Sequence, residues 1–144
     1  MKVVKKLLAP VLVVGLLLTS LVTLHHLKDA KKDNVFRIGI SQYITHKSLD
    51  ATRKGFIEEL KKEGYVDGKN IQIDFQNAQG EQRNLKNISK QLAEESDLVF
   101  AIATPSAQSL ANTTKTTPVV FSAVTDPLAA KLVKNLKEPG GNIT

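Results

Sequence analysis

From Val35 onward the apolar positions switch repeatedly between a two-residue and a three-to-four-residue period. The run VFRIGI at 35–40 is short and rich in β-branched and aromatic residues, which favours a strand. In THKSLDATRKGFIEELKKEGY, at 45–65, Leu49, Thr52, Phe56 and Leu60 fall on one helical stripe, with Ser48 placed to cap the start and Gly64 to stop it. NIQIDFQ, at 70–76, alternates strictly and sets Ile71, Ile73 and Phe75 on one side of a second strand. Helical spacing returns in GEQRNLKNISKQLAEE, at 80–95, through Leu85, Ile88 and Leu92. SDLVFAIA, at 96–103, is nearly continuous in apolar residues, as a strand covered on both faces should be. PSAQSLANTT, at 105–114, predicts a short helix beginning on proline, and TPVVFSAV, at 117–124, a further buried strand. PLAAKLVKNLK, at 127–137, predicts a fourth helix, with Leu128, Leu132 and Leu136 on one stripe. A Pro-Gly-Gly turn at 139–141 follows, where a fifth strand would begin.

Strand and helix alternating in this way imply right-handed crossovers, and hence an open parallel sheet with helices on both faces. The expected class is α/β, flavodoxin-like or Rossmann-like. Ahead of it, residues 1–27 have a basic start and then an uncharged, mostly apolar run from Leu7 to Leu24, which reads as a signal peptide or membrane anchor. No good small-residue cleavage site stands near Thr19, Ser20 or Thr23, which favours an uncleaved anchor with its lysines inside and the body outside. KDAKKDN at 28–34 reads as a charged tether, leaving 35–144 as the folded body.

In an open parallel sheet, ligands bind beyond the carboxyl ends of the strands, where loops gather and helix amino termini direct free amides. The first strand is followed by Ser41, Gln42, Tyr43, Ile44, Thr45 and His46, and the second by Asn77, Ala78, Gln79 and Gly80. The third is followed by Thr104, Pro105 and Ser106, and the fourth by Thr125, Asp126 and Pro127. Each set taken alone is an ordinary helix start, since Ser, Thr and Asp cap helices and proline suits their first turn. Four such loops on one edge make a polar, mostly uncharged rim. Thr104 and Ser106, at a helix amino terminus, suit a carboxylate, which the dipole favours by roughly 0.3–2 kcal/mol. Tyr43 and His46 can offer a flat surface for a ring or a hydrogen bond to a polar group.

Composition narrows the chemistry further. The chain of 144 residues contains no cysteine, which excludes disulfides, thiol nucleophiles and cysteine-based metal sites. With only His25, His26 and His46, a histidine-rich metal site is not expected either. Lys2, Lys5 and Lys6 carry half of the formal net charge of +6, and the remaining basic residues are interleaved with acids. That pattern describes solvated helix faces and not a nucleic-acid footprint. GxxxxGK, GxGxxG and GxSxG motifs are absent, no cofactor is implied, and no Ser-His-Asp order is recognisable. The sequons at Asn87, Asn112 and Asn142 are short patterns that carry no information here.

Three stretches together carry a resemblance: GISQYITHKSLDATRKGFIEELKKEGYVDGKNIQIDFQNAQGE, AIATPSAQSLAN, and TPVVFSAVTDPLAAKLVKN followed by PGGNIT. In these the chain resembles the ABC transporter substrate-binding proteins of the tryptophan- and tyrosine-type, which share the type I periplasmic binding protein fold. The resemblance implies capture of a small amino-acid-like or other carboxylate-bearing solute outside the membrane, an aromatic amino acid among the candidates, and delivery to an ABC permease. It implies a ligand held between two α/β lobes, of which 35–144 would be the first, with the second absent. Carried over to this sequence, Gln42, Tyr43, His46, Asn77, Gln79, Thr104, Ser106, Thr125 and Asp126 would line the amino-terminal wall, and no residue would be catalytic. The alternative is a small exported α/β enzyme using Asp126 or His46 as acid or base.

Overall fold

A computed structural model of the chain describes residues 35–144. The leader or anchor expected over 1–27, and the tether over 28–34, lie outside the described residues. Within them the order is β1 (Phe36–Gln42), α1 (Lys47–Lys62), β2 (Ile71–Asn77), α2 (Gln82–Glu95), β3 (Leu98–Ile102), α3 (Thr104–Thr113) and β4 (Val119–Ser122). The four strands pair in parallel in the order β2-β1-β3-β4. Among the described residues no helix is long and apolar enough to cross a membrane.

Sequence explains most of the boundaries. Gly64 takes φ +90, and the amides of Gly64 and Tyr65 turn back to the carbonyls of Lys61 and Leu60, which ends α1 in the left-handed turn that only glycine adopts without strain. The start of α1 differs from expectation. His46, not Ser48, is the capping residue: its Nδ1 accepts from the Ser48 amide at 3.3 Å and lies 2.9 Å from the Ser48 hydroxyl. Ser48 sits inside the first turn because the imidazole of His46 reaches the orphan amide that a serine cap would have served.

Two apolar layers cover the sheet. On one face Leu85, Ile88 and Leu92 of α2 and Ala107 and Leu110 of α3 pack with Val99, Ala101 and Val119. On the other, Leu49, Phe56, Ile57 and Leu60 of α1 lie against Ile38, Ile40, Ile71, Phe100 and Ile102, and the rings of Phe56 and Phe100 stack at 4.1 Å. Thus β1 and β3 are covered on both faces, as the unbroken apolar run of β3 requires.

The fourth helix expected over 127–137 does not form. One turn is made, with Ala130 donating to the Asp126 carbonyl and Leu132 to the Pro127 carbonyl, and Lys131 then takes φ +57 and reverses the chain. That reversal lets the adjacent Leu132 and Val133 both enter the core, which consecutive residues of a helix cannot do on one stripe; Leu136, the third stripe residue, is left 65% exposed. A second departure concerns β4, expected to be buried: only Val119 is, while Val120, Phe121 and Ser122 are half-covered. Among the described residues its outer edge meets residues 142–144, where Val119 and Ile143 form a parallel bridge and Thr144 exchanges bonds with Val119 and Phe121. After the Pro-Gly-Gly turn, where a fifth strand was expected, the described residues make this single bridge and no further strand.

Candidate functional site

Chain topology selects the site. After β1 the chain moves outward to β2 with α1 on one face, then returns past β1 to β3 with α2 on the other face. The carboxyl ends of β1 and β3 are therefore neighbours from which the connections diverge, the switch point at which open α/β sheets leave a crevice.

Polar side chains end β1 and stand just beyond β3. Ser41 and Gln42 close β1 and are fully buried, and Ser106, equally buried, lies in the first turn of α3. Among the described residues, the Ser41 hydroxyl, the Gln42 carboxamide oxygen and the Ser106 hydroxyl have no hydrogen-bond partner. A buried polar group left unsatisfied costs about 1–3 kcal/mol, and three of the four such atoms among the described residues, Arg53 Nε being the other, stand at this sheet edge, where a bound solute would offset that cost. The helix they adjoin is also unusual. Its capping residue, Ala103, offers no side-chain bond to the first-turn amides and is held at φ +80, ψ +155, a conformation essentially reserved for glycine. Free amides and a buried hydroxyl thus meet at the positive end of α3, the arrangement that receives an anion.

The loops after β1 and β2 are laced together. Tyr43 Oη donates to the Gly80 carbonyl at 2.8 Å while the Gly80 amide donates to the Tyr43 carbonyl at 2.9 Å, and the Ala78 amide donates to the Gln42 carbonyl. Asn77 Nδ2 reaches Thr45 Oγ1 at 3.1 Å, and its Oδ1 accepts from the amide of Gln79, which takes φ +55. Of the nine residues expected at the wall, Gln42, Tyr43, Asn77 and Gln79 share this lacing, and Thr104 and Ser106 stand on the adjacent β3 connection. His46 is exposed and engaged in capping α1. Thr125 and Asp126 follow β4, one strand further out, and both are exposed. Asp126 Oδ1 accepts from the amides of Leu128 and Ala129, so its carboxylate holds its own turn.

Two residues escaped the sequence reading as participants. Ser41 stood in the first loop's list but not among the wall residues, and the structure places it inside β1; the signal was a serine directly after an apolar run. Asp50 looks like an ordinary acidic residue of a first helical turn, yet its Oδ1 accepts from Gln42 Nε2 at 2.8 Å. No periodicity rule joins positions eight residues apart across a strand-to-helix turn.

Two grooves lie away from this edge. One, of about 190 Å³, is at the amino ends of β1 and β2, between Arg37, Asp74 and Glu95. The other, of about 520 Å³, lies between α2 and the end of α3, lined by Lys86, Lys90 and Thr113 among others.

Comparison with known proteins finds relatives that share this fold. Residues 37–144 match the family described as ABC transporter substrate binding protein. A tyrosine-binding protein of Clostridioides difficile (strain R20291) is 51% identical over 117 residues, covering 81% of this chain and 33% of its own length. A ligand-free, open substrate-binding protein with adhesive properties from Clostridium difficile superposes with a TM-score of 0.75 at 50% identity, over 76% of this chain and 38% of that one. A Streptococcus pneumonia ABC domain in complex with L-Trp gives a TM-score of 0.73 at 48% identity, over 77% and 38%. The chain spans about a third of the curated relative's length.

Proposed function

Since the chain belongs to the family of ABC transporter substrate-binding proteins, we propose that residues 35–144 form one wall of a solute cleft on the outer side of a membrane, serving an ABC permease. The solute is a zwitterionic amino acid, aromatic by analogy with the relatives that bind tyrosine and tryptophan. Its carboxylate lies at the amino end of α3 against Ser106 and Thr104, and its side chain runs toward the laced loops of Tyr43, Asn77 and Gln79. In this reading His46, Thr125 and Asp126 belong to the outer rim. Residues 1–27 direct export, either as an uncleaved anchor that holds the protein at the membrane or as a signal peptide that is removed.

The observation that carries this reading is the trio of buried, unpartnered polar atoms at the β1–β3 switch point. A receptor tolerates such atoms because its ligand completes them. An enzyme would need an acid or base there, and both carboxylate and imidazole candidates, Asp126 and His46, are occupied in capping. The test is a titration of the ¹⁵N-labelled full chain with L-tryptophan and L-tyrosine. Saturable shifts at the amides of Ser41, Gln42, Thr104 and Ser106, with the amino acid recovered unchanged, are expected. Absence of shifts at millimolar ligand overturns the proposal.

A further inference from the structure

The carboxamide of Gln42 is bonded asymmetrically. Its Nε2 donates to the Ile44 carbonyl at 2.9 Å and to Asp50 Oδ1 at 2.8 Å. Both partners only accept, so the nitrogen must face them whichever way the amide is drawn. The consequence falls on the other atom: Oε1 is left buried at the end of β1 with no partner among the described residues. Asp50 is itself held. Arg53 lies 3.7 Å from its Oδ1, one turn along α1, and the Arg53 guanidinium rests 4.0 Å over the ring of Phe75 on β2. A chain of contacts thus runs from the edge strand through α1 to the floor of the site.

We propose that Asp50 is a positioning residue that fixes the polarity of Gln42, so that the site offers a buried acceptor and selects ligands bearing an N–H donor, an ammonium group above all, over analogues that lack it. This rests on the receptor reading and adds to it a determinant of selectivity. Were the amide free to turn, the same residue would present a donor and accept a second carboxylate or a hydroxyl equally well. Locked by Asp50, it leaves a ligand without a donor facing an unsatisfied oxygen, a mismatch that weakens binding more than a missing contact would. Asp50 does this without touching the ligand. What matters is its accepting oxygen, not its charge.

That distinction makes the test. The full chain and its Asp50→Asn and Asp50→Ala variants are titrated with L-tryptophan and with 3-indolepropionate, which has the same ring and carboxylate but no amine. The unmodified chain should prefer tryptophan by about tenfold or more, the value of a hydrogen bond to a charged group. Asp50→Asn keeps an accepting oxygen and should keep that preference; Asp50→Ala should lose most of it, with folding verified by circular dichroism. Equal loss in both variants would assign the effect to charge, and an undiminished preference in Asp50→Ala would remove Asp50 from the mechanism; either overturns the proposal. A ligand-free measurement separates this failure from that of the receptor reading. The side-chain amide protons of Gln42 should exchange with water far more slowly than those of exposed Gln72 in the unmodified chain and in Asp50→Asn. If they exchange equally fast the lock is absent, whatever the chain binds. If they are protected but neither compound binds the unmodified chain, the receptor reading falls and the selectivity falls with it.

Discussion

At the scale of single residues, the useful signal is an interaction that folding alone does not explain. Ser106 is the clearest case, because a fully buried hydroxyl with no partner is a cost in the folded state that an alanine would not bear. Ser106→Ala should therefore leave the thermal midpoint unchanged or raise it by a few degrees, while weakening amino-acid binding by roughly tenfold. A structural serine behaves in the opposite way. Loss of stability with unchanged affinity, read by calorimetry and by the same titration, would return Ser106 to the core. The sequence flagged Ser106 through its place at a strand end before a helix. It could not reveal the role of Asp50, because the bond to Gln42 exists only once α1 folds back beside β1.

Secondary-structure elements were legible where one period ran unopposed. The alternation of Ile71, Ile73 and Phe75 and the spacing of Leu85, Ile88 and Leu92 appear as β2 and α2 within a residue or two of their expected ends. The segment at 127–137 was not legible, because its Leu stripe competes with a neighbouring pair, Leu132 and Val133, that the core takes together. How α2 meets the sheet depends on a residue that no periodicity marks. A Cβ on Gly39 would stand 2.7 Å from Ser96 Oγ and 3.1 and 3.2 Å from Leu92 Cδ2 and Cβ, so glycine sets how closely α2 approaches β1. Gly39→Ala should destabilise the fold by about 1–3 kcal/mol, the usual consequence of overpacking. Urea unfolding checks this, and a neutral result would show that α2 is free to shift outward. Because β1 carries Ser41 and Gln42, that shift would also be felt at the site.

For the molecule as a whole, strand order decides both where ligand chemistry can occur and which part of the fold is firm. The order β2-β1-β3-β4 puts β1 and β3 at the centre, each paired on two sides and covered on two faces, and it is these strands that present Ser41, Gln42 and the start of α3. The candidate site is thus built on the least deformable part of the sheet, which suits atoms that must stay unpartnered without collapsing onto one another. On the other flank, the amides of Val119 and Phe121 donate to the carbonyls of Asn142 and Thr144 around one isolated bridge at Ile143, a weaker pairing than the full ladders of β1 and β3. Local opening free energies follow such differences, from near zero in weakly paired segments to the global value in the core. Native-state hydrogen exchange should accordingly protect the amides of 38–41 and 99–102 most, and expose Val119 and Phe121 together with 142–144 at rates orders of magnitude faster. If β4 exchanges as slowly as β1, the bridge to Ile143 is a firm fifth strand and the sheet's rigid part extends to that edge. Protection confined to β1 and β3 instead places the binding atoms on the only segments that open no faster than the whole domain unfolds. A ligand held there would then raise the protection of β4 very little, because its contacts act on strands already at the limit set by global stability.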